Sequence, residues 1–577
     1  FPLLWYRYNH IREAYEILAN ISGMHRSNYP EVSYGMIEGI ISGTMGIVPS
    51  ATKKEVITLP KISNEKDYLL SLVKNRQQYR MGVIFPSRMN NYYYDAGTGS
   101  ILRLQDSEYR LLKAIFSPTA TQESVNGAFL KEDPASLEKF LVHTAEMNLL
   151  RLPPITHQHC NCHSDICQQI DQNLTQLILE VTQRCNFRCK YCIYNSTYDG
   201  NHNFSSSDMD WDTAKQAIDY LFDHSSKREN IYLTFYGGEP LLKFDLIKQC
   251  TDYAQQQAEL KGRNLYFNLT TNLSLMTEEI ANYLAAIPHF SIAVSIDGPA
   301  ECNAARVYAN GSETFPDVER GLHLICHAFN RVGKGLTISS VLTPPYDFEK
   351  LDRMNKYIED FPEMPKDSSV VIAYPSAGTY DSDAYVKTIN NNPRYWDLGA
   401  FDPLAKWQLT QAIRNSLSWD HTNNLYFRTL IESMTRIKNR FASSDPALRT
   451  GIIEACCVPA VRKLYVHTDG ELSICERIGS SPSVGTISTG VNKEVVLKKY
   501  IDDYLAASKP LCENCWAYNI CPMCYSECYS QNGVNIKEKS SKCKNCRTYT
   551  YLMLGTFCTL MEERPEIMET LNHTVSV

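Results

Sequence analysis

A chain of 577 residues, 44% hydrophobic and 21% charged, is too long for one core and too apolar to be disordered. Its formal net charge of −7 and sequence pI near 6.1 exclude a general electrostatic attraction to nucleic acid or anionic membrane. Twenty cysteines in clustered C-x-x-C spacings disfavour a disulfide scaffold and point to metal or cluster ligation in a reducing cytoplasm.

Residues 1–78 carry helical patterning, as in Tyr8 to Ile21, and are read as a helical extension. The chain opens on Phe1, so it is read as a fragment of a longer one. Its most apolar stretch, Gly35 to Val48, is interrupted by Glu38 and falls short of the roughly 20 apolar residues a membrane span needs. A soluble, cytoplasmic protein is expected. Over 79–153 the text changes to a strand at Gly82, a hairpin around Ala96-Gly97-Thr98-Gly99, an Asp-capped helix and two further helices, Gln122 to Lys131 and Pro134 to Leu149. Strands followed by short helices make a winged-helix-like unit whose open sheet edge can accept an extended peptide. A plain packing domain is the other reading.

Pro153-Pro154 and a polar run mark a linker, 154–173, which holds His157, His159, Cys160, Cys162, His163 and Cys167. These are ligand types, but linkers seldom hold a metal. From 174 to 378 apolar strands alternate with amphipathic helices, which predicts a parallel sheet wrapped by helices, a full or partial α/β barrel with its chemistry at the C-terminal strand ends. The final strand pair of that run, LTISSVLTP and SVVIAYP, is read without a helix between. Residues 379–452 read as a helical linker, 453–549 as a cysteine-dense tail, and 550–577 as a closing helix.

The first predicted strand of the barrel runs into CNFRCKYC, with Cys185, Cys189 and Cys192. Three thiolates can hold three irons of a 4Fe-4S cluster and leave the fourth open to a small chelating molecule. Zinc with a remote fourth ligand, or a plain loop, are the alternatives. The next strands end in FYGGEP (Phe235 to Pro240), TTN (Thr270 to Asn272) and SIDGP (Ser295 to Pro299), where the paired glycines are expected to let backbone groups approach a ligand.

With these four ordered motifs the chain resembles the radical S-adenosylmethionine superfamily. The resemblance implies a cluster on Cys185, Cys189 and Cys192 whose open iron chelates S-adenosylmethionine and whose electron releases a deoxyadenosyl radical. It further implies cosubstrate contacts from Tyr191, Gly237, Gly238, Glu239, Pro240, Thr271, Asn272, Ser295, Asp297 and Arg306. Many relatives carry His-Asp where this chain has Cys302-Asn303.

The tail, with Cys457, Gly470, Cys475 and the run Cys512 to Cys528, resembles a SPASM domain, the extension that carries two auxiliary 4Fe-4S clusters. Zinc ribbons are the alternative. Carried over by position, Cys457, Cys475 and one of Cys524 or Cys528 serve the first auxiliary cluster, with Cys456 as a candidate fourth ligand. Cys512, Cys515, Cys521 and either Cys543 or Cys546 serve the second. The first cluster is then expected to have an open iron suited to a substrate thiolate. Glu476, next to Cys475, stands where sulfatase-maturing relatives carry an Asp base, and is read as a catalytic carboxylate or a solvated surface group. Cys250, Cys326 and Cys558 are read as core residues.

The expected class is α/β: a partial (β/α)6 TIM-like barrel with an N-terminal winged-helix-like domain, resembling the RiPP recognition element, and a C-terminal SPASM iron-sulfur domain. The expected activity is modification of a ribosomally made precursor peptide, bound through its leader, by a thioether or carbon-carbon crosslink. It would use S-adenosylmethionine, three 4Fe-4S clusters and an external one-electron reductant such as flavodoxin or ferredoxin. A formylglycine-forming sulfatase maturase and a non-catalytic metal or peptide scaffold are the alternatives.

Overall fold

The structure, a computed structural model, describes residues 59–152, 165–194, 202–376, 379, 403–414, 427–440, 442, 457–478 and 480–566. The expectations for Tyr8 to Ile21, for Gly35 to Val48, for the linker residues from His157 to His163 and for Cys456 lie outside the described residues.

Six strands alternate with helices and pair in parallel in chain order: β4 (Gln176–Thr182), β5 (Asn230–Gly237), β6 (Asn264–Thr271), β7 (Phe290–Ser295), β8 (Thr337–Val341) and β9 (Ser369–Ala373). Residues 177–182 of β4 are all buried, as expected of a central strand covered on both faces. Three of the helices that cover this sheet start at side-chain caps that satisfy first-turn N–H groups: Asp210 to Thr213, Thr277 to Ile280, and Asp347 to Lys350. Leu177, Leu179, Phe235, Phe267, Ile292 and Ile338 pack with Ile218, Ile247 and Leu322 of those helices into the main core.

Two features differ from the sequence reading. A helix, Phe348–Glu359, fills the connection between β8 and β9, capped by Asp347. The tail also enters the main sheet: β10 (Leu464–Val466) pairs in parallel with β4, so Leu464 lies beside Leu177. The antiparallel strands β11 (Glu471–Ser473), β12 (Gly485–Thr486) and β13 (Gly490–Val491) follow, which extends the sheet to ten strands in open order.

Before this sheet stands a small antiparallel one, β1 (Gly82–Pro86), β2 (Asn91–Asp95) and β3 (Ile101–Arg103). Asp95, fully buried, holds its β2–β3 turn by accepting from Thr98 N (2.7 Å), Leu150 N (2.7 Å) and Tyr93 Oη (3.0 Å). The helices Asp106–Ile115, Gln122–Lys131 and Pro134–Glu146 cover the sheet, joined by the helix Leu59–Lys74, whose Leu69 and Leu72 pack with Phe85, Leu111 and Phe140. The closing helix starts earlier than expected and runs Ile536–Glu563. Its Glu562 Oε1 accepts from Ser87 Oγ (2.9 Å), Asn90 Nδ2 (2.6 Å) and Tyr92 Oη (2.8 Å), so the tail and the small unit share the second core. No helix among the described residues is long and apolar enough to cross a membrane.

Candidate functional site

The parallel strands all end on one edge, and the loop after β4 brings Cys185, Cys189 and Cys192 there as free, half-buried thiols. Burial pushes Cys185 up to about 12 and Cys189 to about 11, and raises Cys192 as well. Three half-buried thiols whose ionisation is made costly by desolvation fit a cationic group that draws them into thiolate form. The loop is fixed from outside by Lys190 N donating to Ala305 O (2.9 Å) and Arg188 N to Val307 O (2.7 Å). This donor set fits a 4Fe-4S cluster with one iron left open.

The end of β5 closes on this loop. A Cβ on Gly237 would lie 2.2 Å from Thr182 O, and one on Gly238 2.1 Å from Arg184 O and 3.0 Å from Cys185 N. Gly237 also has φ +132°, a conformation nearly closed to other residues. The glycines thus serve a close approach of the chain to itself. Pro240, buried, opens a short turn through Lys243.

Glu239 is equally inward. Its carboxylate accepts from Thr271 Oγ1 (2.7 Å), Asn272 N (2.7 Å) and Leu241 N (3.1 Å), and burial pushes it up to about 7. It therefore clamps the end of β5 to that of β6. Asn272 Nδ2 reaches Asn186 Oδ1 (3.0 Å) and lies 3.9 Å from Cys185 Sγ, which ties the third motif to the first.

At the end of β7, Ser295 is half-buried, whereas Asp297 is wholly buried and fully engaged. It accepts from Arg306 Nε (3.1 Å) and Nη2 (3.2 Å), Tyr191 Oη (2.6 Å) and Val341 N (2.8 Å). Arg306 in turn is only 6% exposed. The sequence reading gave Asp297 and Arg306 to the cosubstrate; their geometry makes them partners of each other and positions Tyr191 beside Cys192. Asn303 locks this turn by accepting from Asp297 N (3.0 Å) and donating to Gly298 O (2.6 Å) and Pro299 O (3.0 Å).

In the tail, Cys457, Cys475 and Cys524 gather around Lys463, Glu476 and Arg477. Glu476 is neither surface-solvated nor free: Lys463 Nζ lies 2.9 Å from Oε1, and Cys475 Sγ donates to Oε2 at 3.1 Å. Burial pushes its carboxyl up, but Lys463 and the thiol more than offset that and hold it below the usual range. Cys528 is fully buried in the main core with its Sγ 3.7 Å from Cys524 O. A second group joins Cys512, Cys515, Cys521, Cys543 and Cys546, the last two on one face of the closing helix. Lys539, 2% exposed and held by Tyr504 Oη (3.0 Å), bears on Cys512, Cys521, Cys528 and Cys543. Cys167 is exposed, and Cys250, Cys326 and Cys558 are buried in helices.

Comparison with known proteins agrees with the barrel reading. Residues 179–358 match the Radical SAM superfamily. An uncharacterized protein of Methanocaldococcus jannaschii is 36% identical over 152 residues, 26% of this chain and 49% of that protein. The radical SAM cyclopropyl synthase TigE of Paramaledivibacter caminithermalis is 26% identical over 199 residues, 33% of this chain and 39% of TigE. A cysteine-type anaerobic sulfatase-maturating enzyme of Clostridium perfringens is 31% identical over 158 residues, 26% of this chain and 40% of that enzyme. The chain thus spans half or less of the length of these relatives.

Proposed function

We propose, from the match of residues 179–358 to the Radical SAM superfamily, that the protein is a radical S-adenosylmethionine enzyme that modifies a peptide. The observation that carries the reading is one contact network. Three free thiols at the mouth of the sheet are tied to the ends of β5, β6 and β7 through Gly238, Asn272 and Tyr191.

Cys185, Cys189 and Cys192 would hold the cluster, which when bound supplies the electron that opens the cosubstrate's sulfonium and so provides the hydrogen-abstracting radical. The chain's own contribution is order. Glu239 holds β5 to β6, and Asp297, Arg306 and Asn303 hold Tyr191 and the loop in register, so the thiols arrive preformed. Tyr191, Ser295 and the backbone at Gly237 and Gly238 remain the candidates for direct cosubstrate contact.

The tail is read as SPASM-like: Cys457, Cys475 and Cys524 as one ligand set, and four of Cys512, Cys515, Cys521, Cys543 and Cys546 as the other. Glu476 has Lys463 as its charge partner and accepts from the Cys475 thiol, a hydrogen bond that ends once Cys475 ligates as thiolate and so leaves Oε2 as the candidate proton acceptor. The small unit is read as the leader-binding domain. β3 is its edge strand and pairs only with β2 among the described residues, which leaves one side open to strand addition.

The substrate favoured is a precursor peptide, in keeping with the peptide-ready edge. Reduced enzyme incubated with a candidate precursor and S-adenosylmethionine should release deoxyadenosine and yield a peptide lighter by two hydrogens. Absence of deoxyadenosine would end the radical reading; deoxyadenosine with a different mass change would end the crosslink. A second reading, formylglycine formation on a sulfatase, is favoured by the similarity to the Clostridium perfringens maturase. A sulfatase-derived cysteine peptide in the same assay separates the two.

A further inference from the structure

Beside the mouth of the sheet, one cluster has no part in the reading above. Glu180 on β4 has a side chain with 0% exposure. His202, from the segment that follows the cysteine loop, places Nε2 2.5 Å from Glu180 Oε1. His467, just past β10, places Nδ1 3.5 Å from Oε2. One ligand atom from each of the three lies within 4.8 Å of the others.

The surroundings bear on which ligand fits. His202 Nδ1 lies 2.9 Å from the backbone oxygen of Asn203, an obligate acceptor, so a neutral ring carries its proton there and turns a bare Nε2 lone pair toward Glu180. A lone pair facing a carboxylate oxygen is repulsive unless a cation or proton lies between them. His467 Nε2 lies 2.9 Å from Ser473 Oγ, a hydroxyl that can donate or accept, and its Nδ1 is turned to the same carboxylate. The carboxylate itself is oriented by Tyr465 Oη (2.7 Å), Gln183 Nε2 (2.9 Å) and Thr468 N (3.3 Å). Two imidazoles and one carboxylate converge, and each has a further hydrogen-bonding partner behind it, the outer-shell arrangement typical of ligands to a metal. A divalent cation can draw on both imidazoles and the carboxylate at once; with protons alone, His202 would be an imidazolium on Glu180 and His467 a neutral donor to it, its Nε2 accepting from the Ser473 hydroxyl, and zinc analysis separates the two.

We propose that Glu180, His202 and His467 form a mononuclear site for a divalent metal of the zinc type. Two imidazole nitrogens and one carboxylate oxygen leave a fourth position for water or a donor atom of the substrate. His202, with 24% of its side chain exposed, is the ligand on the solvent side. The site joins β4 to the tail's first strand and is distinct from every thiol group. It goes beyond the peptide-modifying reading and stands or falls independently of it.

The test is metal analysis of the full chain, purified anaerobically from zinc-supplemented medium. About one zinc per chain is expected in addition to the iron, and the zinc X-ray absorption edge should reveal nitrogen and oxygen neighbours near ~2.0–2.1 Å. His202→Ala with His467→Ala should lower zinc at least about tenfold with iron and sulfide unchanged, and Ser473→Ala should weaken zinc retention roughly 10–100-fold. Absence of zinc, sulfur neighbours near ~2.3 Å, or zinc that survives the double substitution overturns the proposal. The absorption edge of the unaltered protein decides even if the variants fail to fold.

Discussion

Replacing Arg306 with Met tests whether the buried guanidinium serves the fold or the cosubstrate. The substitution keeps much of the side-chain volume but removes both hydrogen bonds to Asp297, at 3.1 and 3.2 Å, and leaves that carboxylate inside the protein with only Tyr191 Oη and Val341 N. Breaking one side of a buried ion pair costs about 3–5 kcal/mol, because the remaining charge stays desolvated. Two surviving donors place this case near the lower end. For a folding unit of this size about 3 kcal/mol corresponds to a fall in Tm of roughly 6–12 °C, readable by tryptophan fluorescence on anaerobic protein. Adding Asp297→Asn should cost less than the sum of the two single changes, by about 0.5–3 kcal/mol, since both remove the same interaction. If Arg306→Met leaves Tm unchanged while weakening S-adenosylmethionine binding, the pairing argument is wrong and Arg306 is a ligand contact.

Other consequences follow from neighbouring geometry. Gly238→Ala drives a methyl into Arg184 O and should cost about 1–3 kcal/mol with loss of iron from the loop, read by iron counting. Gly127→Ala, whose Cβ meets nothing within 4 Å on a helix, is the control and should leave iron unchanged. Cys524→Ser should lower iron content whereas Cys528→Ser should not, because only Cys524 faces Cys457; the reverse pattern would reassign the ligand. Lys539→Met removes a buried cation beside Cys512, Cys521 and Cys543. If those cysteines hold the proposed cluster, the substitution should make it harder to reduce, by on the order of 60 mV for a lost attraction of about 1.4 kcal/mol, in an EPR-monitored redox titration.

The β/α rhythm from Gln176 to Ala373 was readable because each strand is an apolar run and each helix an amphipathic one. The helix Phe348–Glu359 escapes the sequence reading although Asp347 caps it and Phe348, Leu351, Met354 and Ile358 recur at helical spacing, because the Pro344-Pro345 pair just before it reads as a turn between two strands. β10 is three residues long, too short for any alternation to be seen, so its union with β4 was invisible. The motifs disclosed where the site lies but not who bonds to whom. Asp297 and Glu239 read as ligand contacts in the sequence, and only the structure shows which partners within the protein engage each of them. Glu180, His202 and His467 carry no local spacing at all, and only the strand pairing assembles them.

The hydrogen bond from Tyr465 to Glu180 spans 285 positions of sequence. As the chain leaves the ribosome, the outer edge of β4 must therefore wait, unzipped, until the residues of β10, Leu464–Val466, have emerged. A naked parallel edge of that kind invites wrong partners, so biogenesis of this protein should depend on chaperone protection during synthesis. Truncations that end before β10 should accumulate as insoluble material even though every loop cysteine of the barrel is already present.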